Sequence, residues 1–439
     1  MATPDTNGDP KSPSIITKED VEVIVRRKLG HQDFRLISWK ASLVEKSSGF
    51  LGVYFNVVAV VSNGNPAEVK ELKFFAKAPP PSSSPQSNFL DRCNGFNKEI
   101  KVYKEMIPRL GLGRGDKWTV DFYFGKKDQL IVFEDVTVLG YVMPDKNKPL
   151  DLEHTTLVMK TLARFHSRSL LLEEKLQSEG RSIWDLYGPY LEEALFSKDP
   201  TSLEIRESCL IGTVTLIDEV ARVKNFTSQE VDALKKRVKN WICRITELLS
   251  PSAKYRNVIC HRDVWTNNLM FKYGHNNNPE GCCIIDFQFF RYSPPAIDFE
   301  CILYLTTDKR IRDNHYDTLA RTYHNALRDA LAEEGVDVES CLSWKTFRES
   351  CVFAKHVAII YAALNLQVML LDSKAIDHLF DSKKPEVLEE ALYKAGRAKL
   401  VKHQFASIAP YRERLTEIIL DIRDVLPEEP PVLPILDQK

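Results

Sequence analysis

No surplus of positive charge runs through this 439-residue chain. Sixty Lys and Arg stand against 61 Asp and Glu, for a formal net charge of −1. A general grip on nucleic acid or on an anionic membrane needs a basic excess, so neither is expected, although a local basic pocket fits the balance. No CxxC pair occurs among the nine cysteines, and the vicinal Cys282-Cys283 suits neither tetrahedral zinc nor an ordinary disulfide. They read as reduced thiols of a cytoplasmic protein, most of them filling core. The first fourteen residues, MATPDTNGDPKSPS, lack an apolar stretch and a basic start. No signal peptide is therefore expected, and the Asn225-Phe226-Thr227 sequon is expected to stay unglycosylated. No internal repeat is visible. Val352–Leu371 approaches the length of a bilayer span, but Lys355, His356, Asn365 and Gln367 inside it are costly in hydrocarbon. It reads instead as a buried helix of a soluble domain.

What is present is ordinary for a folded protein: 44% apolar and 28% charged residues. The length suggests two or three globular units, or two lobes sharing a cleft. Residues 1–14 read as a disordered leader. Thr17-Lys18-Glu19-Asp20 resembles a capping box and opens an amphipathic helix that Gly30 closes. From Phe34 to Ala78, alternating apolar residues broken by Ser47-Ser48-Gly49 and by the hairpin turn Asn63-Gly64-Asn65 predict an antiparallel sheet. A helix is expected over Phe89–Ile107, with strands around Trp118–Gly125 and Gln129–Glu134. Beyond Pro144 the pattern is helical, with one β interlude near 258–287, and helices run to about Val425. The Pro-rich end from Pro427 reads as a frayed tail. The expected organisation is an α+β chain with an N-lobe over 15–138, a helical C-lobe over 139–426, and a tail over 427–439.

The chemistry concentrates in His261-Arg262-Asp263-Val264-Trp265-Thr266-Asn267-Asn268. Phosphoryl transfer from ATP needs a carboxylate to orient the attacking hydroxyl and take its proton, and oxygen ligands to hold magnesium on the phosphates. Asp263 suits the first role and Asn268 the second. Three fixed residues recur by chance, and an Asp after an apolar run is commonly only a turn or a cap. The downstream pattern strengthens the reading. Leu269–Tyr273 and Cys282–Asp286 are short apolar strands around a turn rich in Gly and Asn. Pairing Tyr273 with Cys282 places Leu269 opposite Asp286, so Asn268 and Asp286 emerge together as ligands of one magnesium ion.

Upstream, Phe74-Phe75-Ala76-Lys77 puts a lysine at the end of an apolar strand, and Glu99 lies on a helical face near Phe96 and Tyr103. A Lys77–Glu99 pair would hold the lysine on the α- and β-phosphates; alone, each residue would be an ordinary surface charge. The Ser47–Gly52 stretch, with Gly49 and Gly52, is a poor glycine-rich loop over the phosphates. Leu130–Val136 is an apolar strand ending in acids that could form the hinge to adenine.

These residues, HRDVWTNNLMF, IIDFQ, FAK, FNKEIKVY and LARFHSRS, together resemble the ecdysteroid kinase-like family, also described as CHK kinase-like and related to choline and aminoglycoside kinases. The resemblance runs over about 35–370. It implies a protein-kinase-like bilobal fold and ATP- and magnesium-dependent phosphorylation of a small alcohol, with ecdysteroids named for some members. By the same resemblance Asp263 is the base, Asn268 and Asp286 hold magnesium, Lys77 contacts phosphates and pairs with Glu99, and Glu134 and Val136 offer hinge backbone to adenine. Asp298 buttresses the catalytic loop. Two departures stand out: Arg262 occupies a position where the family usually has Gly, and the glycine-rich loop is atypical. They keep open a non-catalytic pseudokinase that binds nucleotide or protein partners. A protein kinase is the third reading, weakened by Gln288 after Asp286-Phe287 and by the short segment before Pro294–Asp298. No obligate protein partner is evident. The helices after Phe299 either wall a greasy acceptor pocket for a steroid or xenobiotic alcohol or simply fill the helical core.

Overall fold

The computed structural model describes residues 15–44, 52–62, 68–82, 84–381 and 383–436. The leader 1–14, the Asn63-Gly64-Asn65 turn and Gly49 lie outside them. Helix α1 (Lys18–Leu29) begins as its sequence dictates. Thr17 and Asp20 exchange backbone-to-side-chain bonds in a capping box, and Gly30 ends the helix at φ +75°.

Five antiparallel strands come next: β1 (Arg35–Leu43), β2 (Val53–Ser62), β3 (Val69–Ala78), β4 (Phe122–Lys126) and β5 (Leu130–Glu134), in the order β1-β2-β3-β5-β4. Between β3 and β4 the single helix expected over Phe89–Ile107 is broken into α2 (Pro85–Cys93), α3 (Gly95–Lys101), a π-turn over Val102–Met106 and α4 (Ile107–Leu110). The break sits at Asn94, which caps α2 at φ +49°, a left-handed conformation that asparagine tolerates better than most residues.

The C-terminal region is mostly helical. After the short β6 (Tyr141–Val142) come α5 (Leu152–Ser178), α6 (Ile183–Leu191), α7 (Pro200–Lys224), α8 (Ser228–Cys243) and α9 (Ile245–Leu248). The β interlude holds β7 (Val258–Cys260), β8 (Leu269–Tyr273), β9 (Pro279–Ile284) and β10 (Arg291–Ser293). Strand β10 pairs with β7, and β8 joins β6 to β9. Helices α10 (Ala296–Thr306), α11 (Lys309–Ala332), α12 (Val338–Cys341), α13 (Trp344–Met369), α14 (Ser373–Leu379), α15 (Pro385–Tyr393), α16 (Gly396–Ser407) and α17 (Ala409–Asp424) complete the chain. The architecture is the expected protein-kinase-like bilobal α+β fold.

Helix α13 is long and apolar enough to cross a bilayer, but 72% of its most apolar window is buried inside the protein. It is a core helix packed against α10 and α17. Residues 427–436 of the Pro-rich tail are not frayed, which corrects the expectation. Trp241 Nε1 donates to the Pro427 carbonyl (2.8 Å), Arg244 Nη1 to that of Pro430 (3.1 Å), and the Ala253 N–H to that of Pro434 (2.9 Å). Proline lacks a donor but keeps its acceptor, and α8 and the segment after α9 supply the donors.

Candidate active site

Strand β3 carries Lys77 to one wall of the cleft, where the antiparallel register sets it beside Tyr54 of β2 and Ile131 of β5. Its ammonium lies 2.7 Å from Glu99 Oε2 on α3 and 2.9 Å from Asp286 Oδ1. Burial alone would lower its pKa, but the charges of Asp286 and Glu99 outweigh that and raise it, so the lysine is held as a cation. Gln288 Nε2 adds a bond of 3.4 Å to Glu99 Oε2. The sequence already paired Lys77 with Glu99; the structure adds Asp286 to the same nitrogen.

The opposite wall is the loop after β7. The Asp298 carboxylate at the start of α10 accepts from the backbone N–H groups of His261 (2.6 Å) and Arg262 (2.9 Å), with His166 Nε2 at 3.3 Å. Burial would raise its pKa, but these donors outweigh it and hold the carboxyl below the usual range. Asp298 therefore buttresses the loop through two backbone amides, as the resemblance implies. His261 joins the loop to the strand end opposite: Nδ1 accepts from the Asp263 N–H (3.3 Å) and Nε2 donates to the Ile285 carbonyl (2.9 Å). Burial lowers the pKa of this imidazole, which favours the neutral ring that the pattern requires. Arg262 takes φ +72°, in the left-handed region that favours glycine. Its guanidinium turns from the cleft to sit 4.7 Å from the Tyr361 ring centroid. His166, Cys260 and Asp298 lie close enough together for a metal, but both Asp298 oxygens already accept amide hydrogens, so the cluster is a brace.

Asn268 turns its amide nitrogen to Asp263, 2.7 Å from the carbonyl and 2.9 Å from Oδ2, so the atom that could meet a cation is Oδ1. The hairpin register differs from the expected one by two residues over Leu269–Lys272 and by three at Tyr273, where a bulge intervenes. Leu269 pairs with Ile284 rather than Asp286, and Tyr273 pairs with Pro279 rather than Cys282. The turn is tighter than its composition suggests, closed by the Gly274 N–H on the Asn278 carbonyl (3.0 Å) with Asn277 at φ +59°. Pro279, Glu280 and Gly281 thus extend β9. A slip of two residues leaves Leu269–Lys272 and their partners on the expected faces. The Ile285 N–H bonds the Asn268 carbonyl (3.0 Å), and Asp286 leaves the ladder at φ +68°.

Between the walls lies a cavity of about 320 Å³. Lys77, Glu99, Glu134, Val136, Asp263, Asn268 and Asp286 all line it, with Tyr54, Phe75, Tyr103 and Phe133 on its apolar side. Gly52 does not line it, and Gly49 lies outside the described residues. Burial, and next the charge of Asp286, push the Asp263 carboxyl up to about 8. The Asp286 carboxylate and the Asn268 amide oxygen form a pair of hard-oxygen donors that suits magnesium. At the hinge, the Glu134 carboxylate is engaged by Lys28 (3.2 Å) and Lys117 (2.8 Å), and its N–H donates to the Asp121 carbonyl (2.8 Å). Sequence reasoning missed Tyr54, stacked on Phe75 at 5.6 Å between ring centroids. The pairing of Ser62 with Val69 sets it beside Lys77, whereas counting back from an Asn63-Gly64-Asn65 turn gives Leu51. It also missed Gln288 as a partner of Glu99.

No curated protein matches this chain. Among solved structures it is similar to a choline/ethanolamine kinase family protein from Mesorhizobium loti, at 10% identity over 87% of this chain and 92% of that one, with a TM-score of 0.33. It is also similar to the microcompartment-associated aminopropanol kinase, at 12% identity over 90% and 99% of the two chains, with a TM-score of 0.34. A third is amicoumacin kinase hAmiN in complex with AMP-PNP, Ca2+ and Ami, at 10% identity over 94% and 98%, with a TM-score of 0.39. The ecdysteroid kinase-like family model matches residues 46–335, and this chain belongs to that family.

Proposed function

We propose that this chain is an ATP- and magnesium-dependent phosphotransferase acting on the hydroxyl of a small lipophilic molecule, an ecdysteroid or a xenobiotic alcohol. One observation carries the reading: Lys77 bridges Glu99 and Asp286 while Asp263 and Asn268 line the same cavity. A nucleotide-binding scaffold without catalysis has no need of that complete set. Magnesium-ATP, when bound, supplies the phosphoryl group and the cation that offsets its charge. Lys77, oriented by Glu99, would hold phosphate oxygens. Asp286 and Asn268 Oδ1 would hold the cation. Asp263 would orient the acceptor hydroxyl and take its proton as the new oxygen–phosphorus bond forms and ADP leaves. Burial and the charge of Asp286 raise the Asp263 pKa, which makes its carboxylate a stronger proton acceptor once a cation offsets the Asp286 charge.

The short stretch of chain after Asp286 favours a small acceptor over a polypeptide. Within a few residues it forms β10, and Arg291 pairs with Cys260 next to the catalytic loop, leaving no long segment to seat a peptide. The buried free thiols suit a cytoplasmic setting. Asp263→Asn removes the base and should lower kcat by about 10²–10⁴ while magnesium-ATP still binds. Undiminished phosphate gain by any accepted alcohol in that variant, read by mass spectrometry, would remove Asp263 from the role.

A further inference from the structure

A second cavity, of about 160 Å³, adjoins the first, and Asp263, Trp265 and Phe289 line both. The rest of its wall comes from α2, the segment between α6 and α7, α7, α13, α14 and α15 and is largely apolar, with Phe196, Leu388 and Leu392 as examples. Asp263 is the single acidic side chain lining it among the described residues. Arg397, at the start of α16, also lines it and is 4% exposed. Its Nε donates to Gln367 Oε1 (3.1 Å), and Nη2 lies 3.1 Å from Cys209 Sγ. Its Nη1 is buried without a hydrogen-bond partner, and no carboxylate pairs with the guanidinium among the described residues. Asn365, on the same wall, donates Nδ2 to the Tyr361 carbonyl (2.8 Å) and keeps Oδ1 as an acceptor.

We infer that this cavity receives the apolar end of the acceptor and that Arg397 sets its specificity, selecting an alcohol with a ring-sized apolar part that ends in an oxygen hydrogen-bond acceptor. The inference rests on the phosphotransferase reading above. Size limits what sits here, because a cavity of roughly 150 Å³ holds about one benzene ring; an acceptor with more rings, such as a steroid, would extend from it into the adjoining cavity. Charge limits the far end. A buried cation with an orphan donor gains from an oxygen acceptor, most from a carboxylate, and opposes an ammonium group. Choline-like and other cationic alcohols are therefore excluded from this cavity.

Titration calorimetry on the full chain with three probes tests this: 4-(hydroxymethyl)benzoate, 4-methylbenzyl alcohol and 4-(aminomethyl)benzyl alcohol. The carboxylate should bind at least about tenfold tighter than the methyl compound, and the ammonium compound should give no binding heat. Arg397→Met should erase that preference while still binding 4-methylbenzyl alcohol, which also reports an intact fold. Arg397→Lys should keep part of the preference, and it decides the matter together with the wild-type ranking if the Met variant does not fold. Equal affinities in the wild type, tighter binding of the ammonium compound, or a preference that survives Arg397→Met would each overturn the inference. Transfer from magnesium-ATP is scored in parallel by mass. Phosphorylation of other alcohols with no probe bound overturns the inference and leaves the kinase reading standing. The expected binding order with no transfer to any alcohol overturns the kinase reading and leaves the Arg397 preference standing.

Discussion

Arg262 shows how one residue can satisfy two opposing demands. The backbone there needs φ +72°, which costs a side-chain-bearing residue about 1–2 kcal/mol, and that is a physical reason for the glycine that the family resemblance leads one to expect. The guanidinium offsets the cost by lying over Tyr361 and approaching Cys301 Sγ at 3.9 Å. Two truncations separate the contributions. Arg262→Ala and Arg262→Gly both lose the Tyr361 contact, but only alanine keeps the left-handed cost. The glycine variant should therefore be the more stable by about 1 kcal/mol in urea denaturation. Equal midpoints would mean that the loop relaxes and that the backbone constraint has no weight. The sequence alone named Arg262 as out of place but offered no cause, because the cause is a dihedral angle fixed by Asp298, 36 residues away.

At the scale of elements, legibility followed the range of the forces. Helix α1 was readable because its cap, stripe and terminal glycine are all local. Strand β3 and Lys77 were readable because an apolar run ending in a charge is local too. The β8–β9 register was misread because the turn closes through Gly274, Asn277 and Asn278 rather than across the whole polar stretch, and composition does not say which residues of a polar run are extended. The helix over 89–107 was read as continuous because only Asn94 interrupts it. Strands β6 and β10 were missed because two or three residues carry no period of their own. The tail was misread for a related reason: its partners Asn240, Trp241 and Arg244 lie some 186–189 positions upstream. Ending the chain at Leu426 would remove those three side-chain bonds. At about 1 kcal/mol each, the loss should be about 3 kcal/mol, visible as a lower denaturant midpoint. A midpoint equal to that of the full chain would return the tail to the frayed state first expected.

On the scale of the whole molecule, two apolar cores meet at the site. The smaller holds α1 and the sheet, including Phe74 and Ala76 of β3. The larger takes in α3 and its π-turn through Phe96 and Tyr103, together with the helical region. Lys77 leaves the first core to bond Glu99 from the second and Asp286 just beyond the β8–β9 hairpin, so one ammonium ties three elements. A ligand that binds on this junction stabilises all three at once, and by linkage its effect grows with concentration, reaching about 2.7 kcal/mol at one hundred times its Kd. Magnesium-ATP should therefore raise the unfolding temperature of the full chain progressively, and chelation with EDTA should remove most of the rise. Asp286→Asn separates metal from nucleotide, since asparagine also tolerates the φ of +68° at that position but lacks the charge. In that variant ATP should stabilise to the same small extent with or without magnesium. If EDTA leaves the wild-type rise intact, or if Asp286→Asn keeps the full magnesium-dependent part, then Asp286 and Asn268 do not hold the cation, and the metal half of the site must be sought elsewhere in the cavity.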